Sequence, residues 1–193
     1  MFTMQRVFSE AYANTLAKQM LKCVFKRSSV QTDYAAGSAA AAEQTSFRTS
    51  SELVGGHMFE SAVSYNLDAY VKASAEFLGV ASFRAEQSHW NVIKYEEGEQ
   101  FKLHTDCWDH VRGTGSNQRV MTALIVLQQA NEGGETVMPN LGMSVRPPPG
   151  FMLVWGNTEN GVCSNMMLHG GMPPVNGTKL VMTKWFRGLD NEK

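Results

Sequence analysis

This chain holds few cysteines, no excess of charge of either sign and no long apolar run. Its three cysteines, Cys23, Cys107 and Cys163, form no CxxC pair. That spacing excludes the common zinc and thioredoxin-type motifs, argues against a disulfide framework, and favours a reducing compartment. No segment approaches the roughly 18 apolar residues of a membrane span. The N-terminal stretch MFTMQRVFSEAYANTLAKQM lacks the continuous apolar core of a signal peptide. An intracellular protein of bacterial or viral origin, away from membranes, is therefore expected. A formal net charge of -1 gives no electrostatic ground for a nucleic-acid partner. What is present is a globular composition: 193 residues, 43% hydrophobic and 18% charged, enough for one domain with a packed core.

The hydrophobic period divides the chain. Residues 8–27 read as an amphipathic helix capped by Ser9, with Ala11, Leu16, Met20, Cys23 and Val24 along one face. Residues 28–45 read as a loop, and SFRTSS at 46–51 as an extended lip. A second helix is expected over 57–79, with Phe59, Val63, Leu67, Tyr70, Val71 and Phe77 as its stripe. From residue 89 the period falls to about 2. Short apolar runs follow at 90–95, 100–106, 119–128, 135–138, 143–146, 151–156, 163–168 and 178–187, separated by Gly-, Pro- and Asn-rich turns. The expected fold class is mostly β with N-terminal helices (α+β), its core a double-stranded β-helix or jelly roll flanked by helices. Residues 1–193 form one domain in this reading, with 1–88 as helical support and loops and 89–187 as the jelly-roll core.

The chemistry concentrates in the second half. His104 and Asp106 are two apart in an expected strand, so their side chains share a face. Their Cα atoms would lie about 6.6 Å apart, at roughly 3.3 Å per residue. With His169, from a distant strand, they make two imidazoles and one carboxylate. That is the ligand set of non-haem Fe(II) oxygenases, which leaves positions open for substrate and oxygen. On spacing alone a pairing of His104 with His110 stays open, and Asp109 lies close by. Cys107, adjacent to Asp106, should point to the opposite face. His57 and His89 have no partners at ligand spacing. Lys179 follows the turn Asn176-Gly177 and shares a strand face with Val181, Thr183 and Trp185. An inward ammonium is costly unless paired, and a bound dicarboxylate would pair it. A surface lysine on a strand with two wet faces is the alternative.

These pieces resemble, in family order, the catalytic domain of the prolyl 4-hydroxylases among the Fe(II)/2-oxoglutarate dioxygenases. They are RVFSEAYANTLAKQM, FRTSS, VIKYEEGEQFKLHTD, QRVMTALIVL, EGGETVMP, GMSVRP, LHGG and GTKLVMTKWFR. The resemblance implies iron held by His104, Asp106 and His169, and Lys179 on the distal carboxylate of 2-oxoglutarate. It implies Tyr95 on that same carboxylate and Thr136 lining the cosubstrate pocket. Trp185 and Arg119 match positions near the active site, where packing and direct contact both remain open. The cofactors implied are Fe(II), 2-oxoglutarate and O2, with L-ascorbate as reductant, and the partner is a proline-containing peptide hydroxylated at C4. The chain departs from the family after Asp106, at Cys-Trp-Asp-His, and over NTENGVCSNMML. The segment before the first helix is so short that a first edge strand should be lost or reduced. A groove between 46–56 and 107–118 would receive the peptide, with Trp108 against it. Trp108→Ala should weaken peptide binding and leave 2-oxoglutarate binding intact; equal loss of both in binding titrations would exclude this role.

Overall fold

The computed structural model describes residues 1–28, 46–55, 59, 67–107 and 118–189. Two antiparallel sheets face each other. The strands of the larger sheet are β1 (Phe2–Arg6), β2 (Phe25–Arg27), β3 (Ser51–Leu53), β4 (Phe83–Ala85), β5 (Asn91–Tyr95), β7 (Arg119–Gln128), β11 (Phe151–Gly156) and β16 (Lys179–Gly188). They run in the order β1-β11-β7-β16-β5-β3-β2, with β4 paired to the far end of β16. The smaller sheet has the order β10-β9-β14-β6, built from β6 (Phe101–His104), β9 (Thr136–Met138), β10 (Met143–Val145) and β14 (His169–Gly171). Two short ribbons complete it: β12 (Thr158–Glu159) with β13 (Val162–Cys163), and β8 (Glu132–Gly133) with β15 (Pro174–Asn176).

The central strands are apolar on both faces because both faces are covered. On β7, Met121, Ala123, Ile125 and Leu127 point to the outer face of the large sheet. There α1 (Glu10–Met20) and α2 (Leu67–Leu78) pack with Leu16, Met20, Leu67, Val71 and Ala75. Burying a leucine such as Leu16, 2% exposed, is worth roughly 1.5–3 kcal/mol. The alternate residues, Thr122, Leu124 and Val126, face the smaller sheet, together with Ile93, Tyr95, Leu153, Trp155 and Val181. That inner layer is where polar residues accumulate.

The first helix is shorter than its sequence pattern suggests. Ser9 caps it as expected, its side chain accepting from Tyr12 N–H at 3.2 Å, but it ends at Met20. Residues 25–27 pair as a strand with β3 instead. A strand also precedes it: Phe2–Arg6 pairs with Phe151–Trp155 of β11, so the edge strand expected to be lost is present. Four strands of the large sheet thus come from the part expected to give only helices and loops. In α2 Leu67 and Val71 are buried, whereas Phe77 of the anticipated stripe is 63% exposed. Most of 57–66, and all of 29–45, lie outside the described residues. The run expected as a strand at 163–168 splits into the end of β13 and a 3-10 turn at Asn165–Met167, and the strand begins at His169. No helix among the described residues is long and apolar enough to cross a membrane.

Gly150 ties the N-terminal strand and helix to this frame. Its carbonyl accepts from Val7 N–H and Phe8 N–H at 2.8 and 3.0 Å, and its φ is +88°. A Cβ there would strike the Phe8 carbonyl. Gly150→Ala should therefore cost at least about 2 kcal/mol. The expected readout is a fall of roughly 4–8 °C in melting temperature by circular dichroism.

Candidate functional site

The two sheets meet at a buried carboxylate. His104 ends β6, and His169 begins β14 directly opposite it in the antiparallel register. The pairing sets the two imidazoles side by side, with ring centroids 4.3 Å apart. Asp106, just past the end of β6, reaches between them. His104 Nε2 lies 3.6 Å from Asp106 Oδ1, and His169 Nε2 lies 3.5 Å from Oδ2. The candidate ligand atoms of the three residues all fall within 4.8 Å of one another.

The rings are oriented for ligation. His104 Nδ1 contacts the Lys102 carbonyl at 2.7 Å, and His169 Nδ1 contacts the Met167 carbonyl at 2.8 Å. A carbonyl only accepts, so each Nδ1 carries the proton and donates, and each Nε2 offers its lone pair to the shared space. Phe101 stacks on His104 at 3.6 Å between centroids, and Trp155 meets His169 edge-on at 4.8 Å. Burial pushes the His169 imidazolium below the usual imidazole range, which keeps the ring neutral. Burial works against the Asp106 anion. The two imidazoles and a hydrogen bond from the Thr122 hydroxyl outweigh it and hold the carboxyl well below its ordinary range. Two imidazole nitrogens and one anionic oxygen, with open space beside them, fit a divalent iron with positions left for a cosubstrate and O2.

The same inner cavity is lined by a buried lysine. Lys179 opens β16 opposite Tyr95 of β5 and is 2% exposed. Its Nζ donates to Thr136 Oγ1 at 3.2 Å. Among the described residues no carboxylate lies within ion-pair distance. Burial pushes its ammonium down to about 8, partly opposed by Glu135 and reinforced by Arg146. Burial raises the Tyr95 phenol, so it stays protonated. Gly171, two residues after His169, lies against this phenol: a Cβ there would sit 3.5 Å from the Tyr95 hydroxyl.

Outside the ligand cluster an open groove of about 750 Å³ runs past His104 and Asp106. Arg119 forms its wall: its guanidinium lies 4.2 Å from the Trp185 ring and grips Glu86 through two hydrogen bonds of 2.6 and 2.7 Å. Arg187 adds a contact to the same carboxylate at 3.2 Å. Burial disfavours the Glu86 anion, but the two guanidinium groups outweigh it and lower its range.

The structure brings together His104, Asp106, His169, Lys179, Tyr95, Thr136 and Trp185, and places Arg119 at the groove. Trp108, Asp109, His110 and His57 lie outside the described residues, so the alternative pairing of His104 with His110 has no described geometry. His89 lines the groove away from the ligand cluster. Cys107 does turn away from the ligands, but it is bonded to Cys163, their Cα atoms 5.8 Å apart. This corrects the expectation of unpaired cysteines and removes the support they gave to a reducing compartment. Sequence reasoning missed Thr122, Asn157, Glu86 and Arg187. For Thr122 a signal existed: a hydroxyl on the inner face of an otherwise apolar strand.

The profile of the 2OG-Fe(II) oxygenase superfamily matches residues 90–187. A curated relative, the probable prolyl 4-hydroxylase 9 of Arabidopsis thaliana, is 29% identical over 153 residues, covering 64% of this chain and 53% of its own length. The chain thus spans about half the length of that relative. The viral collagen prolyl hydroxylase of Paramecium Bursaria Chlorella virus-1, solved with 2OG, superposes with a TM-score of 0.71 at 16% identity, covering 98% of this chain and 96% of that one. A Pseudomonas putida prolyl-4-hydroxylase gives a TM-score of 0.63 at 17% identity, covering 96% and 92%. At these identities the two structures speak to the fold.

The depressed Lys179 ammonium yields a pH signature. Free lysine loses its proton near 10.5 and Lys179 near 8. Between these values the unfolded chain binds more protons than the folded one, so this residue raises apo stability as pH rises. Affinity for 2-oxoglutarate should move the other way, weakening by up to about tenfold per pH unit once the ammonium titrates. Titrations of the metal-loaded protein across this range would show it, and Lys179→Met should bind weakly and without the pH slope.

Proposed function

The chain belongs to the 2OG-Fe(II) oxygenase superfamily, and from that premise we propose that it hydroxylates proline residues of a peptide or protein at C4. In this reading His104, Asp106 and His169 hold Fe(II). Lys179, with Tyr95 and Thr136, holds the distal carboxylate of 2-oxoglutarate. The observation that carries it is the meeting of two imidazoles and a carboxylate within 4.8 Å, in one cavity with a buried ammonium that has no carboxylate at ion-pair distance among the described residues. Bound iron and cosubstrate supply the oxidation: O2 is consumed, 2-oxoglutarate becomes succinate and CO2, and one oxygen atom enters the substrate C–H bond. L-ascorbate serves as the reductant that keeps the metal ferrous.

The chain's own residues do the rest. The ammonium fixes the far end of the cosubstrate, and Trp155 and Phe101 flank the imidazoles and limit water. The two facing sheets are read as the double-stranded β-helix of the superfamily, in one domain that draws strands from both halves of the chain. The peptide lies in the groove bounded by Arg48, Glu52 and Leu53 on one side and by Arg119 and Trp185 on the other. A proline-containing segment is already extended and loses little entropy on docking. The nature of the relatives' substrates supports proline over other residues.

The test is succinate formation from 2-oxoglutarate with Fe(II) and ascorbate, with and without proline-rich peptides, followed by mass analysis. Peptide-stimulated succinate with a one-oxygen gain on proline is expected, and His104→Ala should lose roughly 100-fold or more. Succinate that no peptide stimulates would move the substrate to another residue or a small metabolite.

A further inference from the structure

Asp106 is fastened from behind by a chain of hydrogen bonds that ligation itself does not require. Thr122, on the inner face of β7 and 1% exposed, donates its hydroxyl to Asp106 Oδ2 at 2.6 Å. Asn157, 2% exposed, donates its amide to Thr122 Oγ1 at 2.9 Å. The anion fixes the polarity of this chain. A carboxylate only accepts, so the single Thr122 proton must go to Asp106, and Thr122 must receive from a donor. Asn157 therefore turns its NH2 toward Thr122, although this leaves its own Oδ1 buried without a partner.

Asn157 is itself held by the backbone. Its N–H donates to the Val120 carbonyl at 2.8 Å, and its carbonyl accepts from Ser164 N–H at 3.0 Å. Ser164 follows Cys163, whose disulfide returns to Cys107, the residue after Asp106. The ligand is thus enclosed in a ring of covalent and hydrogen bonds. Within that ring Oδ2 accepts from Thr122 and lies 3.5 Å from His169 Nε2, while Oδ1 lies 3.6 Å from His104 Nε2.

We infer that Thr122 and Asn157 are positioning residues that hold the Asp106 carboxylate in its orientation between the two imidazoles, one oxygen toward each Nε2. The torsion between a carboxylate and its Cβ is soft, so a carboxylate without such a partner turns readily out of that orientation. A short bond to an ionised acceptor is among the stronger hydrogen bonds, and a donor behind it strengthens it further. The benefit would fall on metal binding, because a carboxylate already oriented loses less freedom there, and on the cosubstrate that shares the metal. This rests on the metal reading above.

The experiment uses Mn(II), which binds such ligands without turnover. Wild type, Thr122→Ser, Thr122→Val, Asn157→Leu and the Thr122→Val/Asn157→Leu double variant are titrated with Mn(II) by electron paramagnetic resonance. Each is then titrated with 2-oxoglutarate at saturating metal. Thr122→Val should lose about tenfold or more in metal affinity and a similar factor in 2-oxoglutarate affinity, as outer partners of metal ligands do. Thr122→Ser should retain both. Asn157→Leu should lose about threefold, and the double variant no more than Thr122→Val alone, because one residue acts through the other. Wild type that binds no more Mn(II) than His104→Ala would overturn the metal reading itself. Wild type that binds, with Thr122→Val matching it in both affinities, overturns this inference alone. So do fully additive losses in the double variant, or a lower melting temperature with unchanged affinities. Should Thr122→Val not fold, Asn157→Leu carries the test, and wild-type affinities there would overturn the inference.

Discussion

An anion buried between two sheets is the constraint to which the rest of this structure answers. An isolated carboxylate away from water is too costly to stay ionised. Asp106 is 6% exposed and still held as the anion, so its surroundings must compensate. The compensation comes from unrelated stretches of chain: an imidazole from β6, another from β14, and a hydroxyl from β7. Of these strands, β7 is fixed by apolar packing on its other face, and β6 and β14 by their pairing with each other. The helices on the outer face of the large sheet matter here, since they seat β7 and so Thr122.

Two kinds of cation stand around this anion, and their treatment differs. Arg119 and Arg187 share the Glu86 carboxylate, so each cation of the groove wall has an anion beside it. Lys179 donates to a hydroxyl and has no carboxylate within ion-pair distance among the described residues. In the proposed function a small dianion would supply the missing partner, and the cost of desolvating the ammonium is already part of the folded state.

Much of the site was legible because alternation in a strand is a local property. His104 and Asp106 share a face by spacing, and Lys179 is inward by the same count. The strands of the second half were found because their alternating runs end at glycine- and asparagine-rich turns. What stayed hidden was set by distant contacts. Phe2–Arg6 alternates over only four residues, Phe2 to Gln5, too short a run to stand out, and is a strand because β11 offers an edge. Lys22, Cys23 and Val24 extend a helical pattern that the chain abandons in order to pair 25–27 with β3. The apolar content of CSNMML reads as a strand, yet it serves a hairpin end and a 3-10 turn. The Cys107–Cys163 bond joins positions 56 residues apart, and nothing local marks either as a partner.

The facing pair His104 and His169 carries one further meaning. They are opposite partners of one antiparallel ladder whose strands are far apart in sequence. A slip of one residue in that ladder would turn every side chain of β14 to the other face. His169 would then leave the cluster while most of the backbone bonding survived. Ligand geometry at this position is thus a proofreader of strand registry. A chain that has paired its strands one step out of place could still be compact, but it would be unable to assemble the three-ligand corner, and metal present during folding would draw the population toward the correctly zipped sheet.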